Sequence, residues 1–412
     1  MDNDTYTYIA LSVVMFLEYA VWGAWAPVLA ARLLGPLKMT GKQTGWIYAT
    51  LPIACIFSPV LFGWVADKYV NLEYLLIGAH FLGAILLVLA ARQNQFKPLL
   101  VVMLLYSICF AATMPLVNAA LFQRPEIDQG KVFIWAPVAW ALVGWLLTGW
   151  RMTRKKEGDG SDCLYFAAGL SVLMVGGCFL LPAYPPGGDT SMFKAFALFS
   201  QMNFLILMLL SMVIAGMMQF YFLGSARFMQ DKGVSSKHVP ASMALAQIAQ
   251  AVATWYLLTL FVGKDGVLGF KWTLAVGALC WLILYLAYII GQPRGLIIGC
   301  QPLHGLAYVF FIIAGQMCAN TYADEKTISS LQGLIFAATT GLGLFVGTQL
   351  AGYVMNKCSV DGKFQWTKIW IVPAIIMLIG LVALVALFQN PPPAAGVDKT
   401  NAEAAVSASQ EP

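Results

Sequence analysis

The run Leu99-Leu100-Val101-Val102-Met103-Leu104-Leu105-Tyr106-Ser107-Ile108-Cys109-Phe110-Ala111-Ala112-Thr113-Met114-Pro115-Leu116-Val117-Asn118-Ala119-Ala120-Leu121 contains no charged residue. At a helical rise of about 1.5 Å per residue it is long enough for a hydrocarbon core about 30 Å thick. Apolar side chains follow one another without alternating, which rules out a strand of a membrane barrel. A segment in lipid must satisfy its own backbone polar groups, so the run is expected to be a transmembrane helix. Eleven further runs resemble it. Before it come Ile9 to Ala30, Gly45 to Val65 and Leu72 to Ala90, and after it Phe133 to Trp150 and Leu164 to Leu181. A second set runs Phe204 to Gly224, Ala241 to Val262, Trp272 to Ile290, Leu296 to Cys318, Leu331 to Val354 and Trp370 to Phe388. The expected fold is an all-α membrane protein of twelve transmembrane helices in two six-helix bundles.

Composition agrees, since 60% of the 412 residues are hydrophobic and only 10% charged, and the mean hydropathy is +0.76. Too little charge is present to cover a soluble enzyme of this length. The net charge of +5 is not gathered on a soluble module, so nucleic acid is not an expected partner. Eight cysteines lie mostly inside apolar runs without a Cys-x-x-Cys pair, and only His80, His238 and His304 are available as imidazole ligands, so neither a disulfide framework nor a metal site is expected. Gly35 to Lys42 has the wrong spacing for a phosphate loop, with Gln43 where a hydroxyl would hold magnesium. No catalytic motif survives its context, and neither enzyme activity nor a cofactor is expected. Asp2 and Asp4 without a basic residue argue that the opening run stays as a span. The organisation read from these signals is a bundle over 1–182, a turn-rich linker over 183–200 around Tyr184-Pro185-Pro186-Gly187-Gly188, a second bundle over 201–389 and a disordered tail over 390–412. Gly343 and Gly347, four apart in the eleventh run, are expected to let another helix approach closely.

Polar groups inside spans are costly and therefore informative. Of the 19 acidic residues only Glu18 falls deep within a run, where it is expected to face a wet cavity or stay protonated. Its i+4 and i+7 neighbours on the helix are Trp22 and Trp25. Gln219 stands in the seventh run, and Gln247 and Gln250 lie three apart in the eighth. Carboxamides donate and accept together, which suits sugar hydroxyls or base edges, although each alone also reads as glue between helices. His304 and Tyr308 form an i, i+4 pair in the tenth run, and Asn118 follows Pro115 in the fourth.

Gly63-Trp64-Val65-Ala66-Asp67-Lys68 looks like a shortened loop motif of the major facilitator superfamily, with Gly63, Asp67 and Lys68 as its gating residues. The first span, Phe16-Leu17-Glu18-Tyr19-Ala20-Val21-Trp22-Gly23-Ala24-Trp25, resembles that of the bacterial nucleoside:proton symporter family within it. Further similarities follow in order along nearly the whole chain: His80 with Gly83-Ala84, Pro115 with Asn118, Ile134-Trp135, Gln219, Gln247, Ala307-Tyr308 to Phe311, Gln332-Gly333 and Trp366. The resemblance implies two six-helix bundles rocking about a midplane site, with both termini cytoplasmic. It implies that Gln219 and Gln247 hold the solute, that Gln250 stands where the family can have a glutamate, and that His304 and Tyr308 occupy aromatic site positions. Three departures accompany it: Phe133 replaces a site arginine, Val309 a proton-coupling aspartate and Phe222 an asparagine.

The expected function is alternating-access transport of a small polar solute, with a nucleoside favoured, by a monomer in the lipid bilayer of a cell or inner membrane. Gln219, Gln247, Gln250, Asn118 and His304 would bind the solute, and Trp22, Trp25 and Tyr308 would pack on it. Glu18 is the candidate proton carrier, with a uniporter as the rival; an exporter and a non-transporting solute receptor are the readings from other classes. Eight basic residues lie on the side of the N-terminus and sixteen on the other. The positive-inside rule therefore points the N-terminus outward, against the family.

Overall fold

The computed structural model describes residues 3–391 apart from 35, 40, 154–158, 188–192, 235–238, 264–265, 324–326 and 361–362. Among the described residues, eleven helices are long and apolar enough to cross a membrane. In the first half these are span 1 (Asp4–Trp25), span 2 (Gly45–Lys68), span 3 (Leu72–Ala91), span 4 (Phe96–Phe122) and span 5 (Gln129–Arg151). In the second half they are span 7 (Met202–Ser225), span 8 (Leu245–Val262), span 9 (Gly269–Ile290), span 10 (Arg294–Asn320), span 11 (Ile328–Lys357) and span 12 (Trp366–Leu387). Span 6 is the shorter apolar helix Asp162–Cys178, which ends after the glycine pair Gly176-Gly177 and before Pro182.

Span 1 begins and ends about one turn earlier than its apolar run. Ala26, Pro27 and Val28 form a turn, because proline disfavours the helical conformation of the residue before it. A short helix, Leu29–Leu34, takes up the remaining apolar residues. Pro52, Pro59 and Pro115, by contrast, lie within continuous helices, as neighbouring spans allow in a membrane. The linker contains a helical turn, Phe193–Ala197, continued by Leu198–Ser200. Spans 11 and 12 are joined by a two-stranded hairpin, β1 (Ser359–Val360) and β2 (Lys363–Phe364). The expected tail lies outside the described residues beyond Pro391.

Packing repeats with an offset of six spans. Span 1 packs on 5 and 6, 2 on 4, and 3 on 4 and 6; correspondingly 7 packs on 11 and 12, 8 on 10, and 9 on 10 and 12. That is the pattern of two halves related by a parallel repeat. Glycine sets the closeness of one seam: a Cβ at Gly347 would lie 2.0 Å from the Gly216 carbonyl oxygen, and one at Gly343 2.6 Å from that of Met212. Spans 7 and 11 therefore touch backbone to backbone, as the glycine spacing predicts. All eight cysteines are free thiols, seven of them buried.

The halves meet along spans 2 and 11, 4 and 11, and 5 and 8. At the end carrying the termini, Asp67 accepts hydrogen bonds from the Ser329 and Ser330 amides at 3.2 and 2.8 Å and from the Ser330 hydroxyl. A carboxylate from one bundle thus caps the first turn of a helix in the other. Gly63 permits the approach, since a Cβ there would sit 2.5 Å from the Ser329 carbonyl oxygen. The Lys68 ammonium lies 5.4 Å from the Tyr69 ring centroid.

At the opposite end of the first bundle, buried Arg32 donates to the carbonyls of Ala91 at 2.7 Å and Gln93 at 3.2 Å, capping the last turn of span 3. Asp159 approaches the same guanidinium at 3.6 Å. Partial burial pushes the Asp159 carboxyl up, but hydrogen bonds from Ser161 and the charge of Arg32 outweigh it and hold the group below its ordinary range.

Candidate functional site

Most of the predicted polar residues line the second bundle around one close helix crossing. Spans 8 and 10 meet at Gly305, where a Cβ would lie 1.9 Å from the Ala246 carbonyl oxygen and 2.8 Å from the Gln250 amide nitrogen. This seam packs the span 8 turn that carries Gln247 and Gln250 against the span 10 turn that carries His304. Gln250 is buried and Gln247 half-buried. The His304 ring stacks on Tyr221 with centroids 3.8 Å apart and planes at 10°, meets the edge of Phe222 at 5.4 Å, and accepts a hydrogen bond at Nδ1 from the Trp281 indole at 3.1 Å. Phe222 shares a face of span 7 with Gln219, whose carboxamide oxygen accepts a hydrogen bond from Thr348 at 3.1 Å.

The wall opposite comes from spans 1 and 5. Tyr308 meets the hydroxyl of Tyr19 across the bundle interface as a hydrogen-bond partner. Tyr19 is 6.4 Å from Trp22, and Trp22 packs edge-on against Trp140 at 5.1 Å. Gln219, Gln247, Gln250, His304 and Tyr308 thus belong to one bundle, and Tyr19, which the sequence reading did not single out, reaches Tyr308 from the other beside Trp22 and Trp140.

Three candidates lie elsewhere. Trp25 is buried inside the first bundle, donating to the Tyr106 hydroxyl at 3.2 Å and packed near Tyr48. Glu18 is also interior rather than facing a wet cavity: its carboxyl oxygens meet His80 Nε2 at 2.8 Å and the Thr113 hydroxyl at 2.7 Å. Asn118 donates to the Gln316 side chain at 3.0 Å near the latched end, joining span 4 to span 10. Gln316 and Gln332, which donates to the Gln316 carbonyl at 3.3 Å, complete a buried amide cluster there. A small cavity between spans 7, 10 and 11, lined by Ser211, Phe311, Gly315, Gln316, Ile335 and Thr339, lies beyond Tyr308 toward that end and contains none of the predicted residues.

Spans 8, 10 and 11 each contain a π-helical segment, Ala253–Leu257, Tyr308–Ile313 and Ala337–Gly343. The second begins at Tyr308 itself, and such wide turns are frequent at functional sites. At two of the three departures the structure shows apolar packing, with Phe133 buried 6.0 Å from Phe122 and Val309 buried, whereas Phe222 is exposed and edge-on to His304.

The family profile described as "Nucleoside H+ symporter" matches residues 6–392. The chain belongs to that family. Among curated members of known name, it is 25% identical over 407 residues to the nucleoside permease NupG of Escherichia coli K12, covering 92% of this chain and 96% of that one. It is 26% identical over 383 residues to the xanthosine permease of the same organism, covering 88% and 91%. A crystal structure of NupG superposes with a TM-score of 0.66 at 23% identity, over 93% of this chain and all of that one. The human organic anion transporter MFSD10 superposes with a TM-score of 0.74 at 13% identity over the same 93% and 100%. The fold is that of the major facilitator superfamily. This member of the nucleoside H+ symporter family is a multi-pass integral membrane transporter and not an enzyme.

Proposed function

We propose that this chain carries nucleosides across the inner membrane by alternating access, the solute lying between Trp22 and the wall of Gln219, Gln247, Gln250, His304 and Tyr308. The observation that supports the proposal is the Gly305 seam, which packs the helix of Gln247 and Gln250 against the helix of His304, whose Nδ1 accepts from Trp281. Carboxamides and an imidazole N–H can read base edges and ribose hydroxyls, and aromatic faces accept a base. Both walls come from one chain, which supports function as a monomer.

The termini face the cytoplasm in this reading, so the Asp67 latch closes the cytoplasmic end. Several basic residues on the opposite side are engaged structurally, Arg32 as a helix cap and Arg151 by Asp162 at 2.7 Å, which accounts for part of their excess there. A C-terminal reporter that folds only in the cytoplasm should fluoresce.

Uptake of labelled uridine and adenosine into proteoliposomes tests the assignment. Saturable uptake that competes with unlabelled xanthosine but not with ribose is expected, and Gln247→Ala should raise the half-saturation concentration while leaving the protein folded. Failure of the folded parent chain to move either nucleoside would overturn the reading.

A further inference from the structure

Glu18 is a buried carboxyl group in the middle of a bundle, and each of its oxygens has one partner. Thr113 is the informative one. Its Oγ1 lies 2.7 Å from Glu18 Oε1 and 2.7 Å from the Phe110 carbonyl oxygen. A hydroxyl has one proton to give and can still accept. When Thr113 donates to Phe110, its oxygen meets Glu18 only as an acceptor, and Glu18 Oε1 must carry the proton between them. When Thr113 turns its proton to Glu18, the carboxylate is ionised. With its proton on Nε2, the His80 ring donates to Oε2 in both arrangements. One hydroxyl rotation therefore satisfies either protonation state without moving a helix.

The surroundings isolate this centre. Span 1 adds Tyr19; span 3 adds His80; span 4 adds Tyr106 and Cys109, with Phe110 edge-on to the His80 ring at 6.2 Å; span 6 adds Cys178; and Tyr308 approaches from the other bundle. Span 5, also packed on span 1, brings Trp140, while its Arg151 pairs with Asp162 and Lys131 pairs with Asp128. Among the described residues, neither lysine nor arginine is a partner of Glu18. With one proton beyond the neutral imidazole the pair has no net charge, and without it a buried negative charge has no cation to offset it, which is costly in a dry interior.

We propose that Glu18, His80 and Thr113 form the proton-carrying centre of this transporter, Thr113 switching its hydroxyl between Glu18 and the Phe110 carbonyl as the proton arrives and leaves. A hydronium ion reaching the centre gives its proton to Glu18 Oε1 and leaves as water; in the other orientation of the bundles water takes the proton back, and no covalent bond to the solute is involved. Tyr19, the next residue in the chain, reaches Tyr308 in the solute wall, so motion at the proton centre and at the solute site is shared through one turn of span 1. The inference rests on the nucleoside reading for its transport assay.

Proteoliposomes holding the parent chain, Glu18→Gln, Thr113→Val and Thr113→Ser are compared for gradient-driven uridine accumulation and for uridine counterflow without a gradient. Glu18→Gln and Thr113→Val should lose accumulation and keep counterflow, and Thr113→Ser should keep both. Accumulation that survives in Glu18→Gln, or a parallel fall of both activities in the folded variants, overturns the proposal. Infrared difference spectra between acid and alkaline buffer give a solute-independent readout: a protonated-carboxyl band is expected in the parent, absent from Glu18→Gln and shifted in Thr113→Val. The band with no nucleoside movement would sink the substrate reading alone, whereas a parent spectrum without a Glu18 band sinks the proton centre.

Discussion

Trp281 holds His304 in one tautomer. The indole N–H is a donor only, so the Nδ1 atom 3.1 Å away accepts and the ring proton sits on Nε2. Tyr221, stacked 3.8 Å from the ring, fixes its plane as well. A histidine locked in both tautomer and orientation presents a single donor, which is the form of group that selects a solute carrying an acceptor at one place.

Trp281→Phe should therefore weaken solute binding without changing the solute wall itself. Loss of the indole donor leaves a buried acceptor to find its own proton, a cost of about 1–3 kcal/mol. Nε2 then becomes an acceptor in part of the population. The half-saturation concentration should rise roughly tenfold, which corresponds to about 1.4 kcal/mol, with the maximal rate nearly unchanged. His304→Gln should restore a donor, but not its fixed plane, and fall between the parent and Trp281→Phe. Equal kinetics in all three proteins would remove His304 from the site.

Asp67 ties the bundles together at the termini end by capping span 11 in trans. Asp67→Asn keeps the size of the group and loses its charge, and its NH2 replaces one of the two acceptor oxygens and confronts a backbone amide donor. The latch should weaken by about 1 kcal/mol, the usual worth of a side-chain helix cap. Spin labels at Tyr69→Cys and Thr321→Cys, in a chain whose native cysteines are replaced, would sit on either side of the latch. The long-distance population should grow in Asp67→Asn, and an unchanged distance distribution would mean that the bundles are held by the span 2 to span 11 packing alone.

Much of the fold was legible because lipid imposes a simple rule, that each crossing must be a long apolar helix. The proposed solute wall rests on a similar pattern: Gln247 with Gln250, and His304 with Tyr308, are close enough along one helix for periodicity to group each pair. Periodicity failed where a stripe is shared between two neighbours. Glu18, Trp22 and Trp25 were read as one face, yet Glu18 turns to spans 3 and 4, Trp22 to span 5 and Trp25 to Tyr106. His80 lies 62 residues from Glu18, and no local pattern in the sequence pairs residues so distant. The π-helical turn at Tyr308 was likewise invisible, since a hydrogen-bond register leaves no mark on an apolar run.

Arg32 was counted only as a loop charge, but it closes the end of span 3. Arg32→Gln should leave the carbonyls of Ala91 and Gln93 without their donor. At about 1–3 kcal/mol per buried group left unsatisfied, the thermal midpoint in detergent should fall, while half-saturation concentrations stay at the parent value because the site is formed by other spans. A loss of affinity without a loss of stability would contradict a purely structural role.

The seam between spans 7 and 11 makes the sharpest steric prediction. Gly347 has backbone on its open face, the Gly216 carbonyl oxygen standing 2.0 Å from where a Cβ would be built. Backbone in two packed helices cannot give way as the end of a flexible side chain can, so even Gly347→Ala must push span 11 from span 7. Overpacking of this kind costs about 1–3 kcal/mol and occasionally more, and Gly347→Val adds three carbons. Thr348, the next residue, holds Gln219, so displacing the seam also moves a carboxamide of the solute wall. Gly347→Ala should lower both thermal stability and solute affinity, and Gly347→Val should not fold to a monodisperse species. Gly352, with open space where its Cβ would be, is the control on the same helix, and Gly352→Ala should match the parent in both measurements.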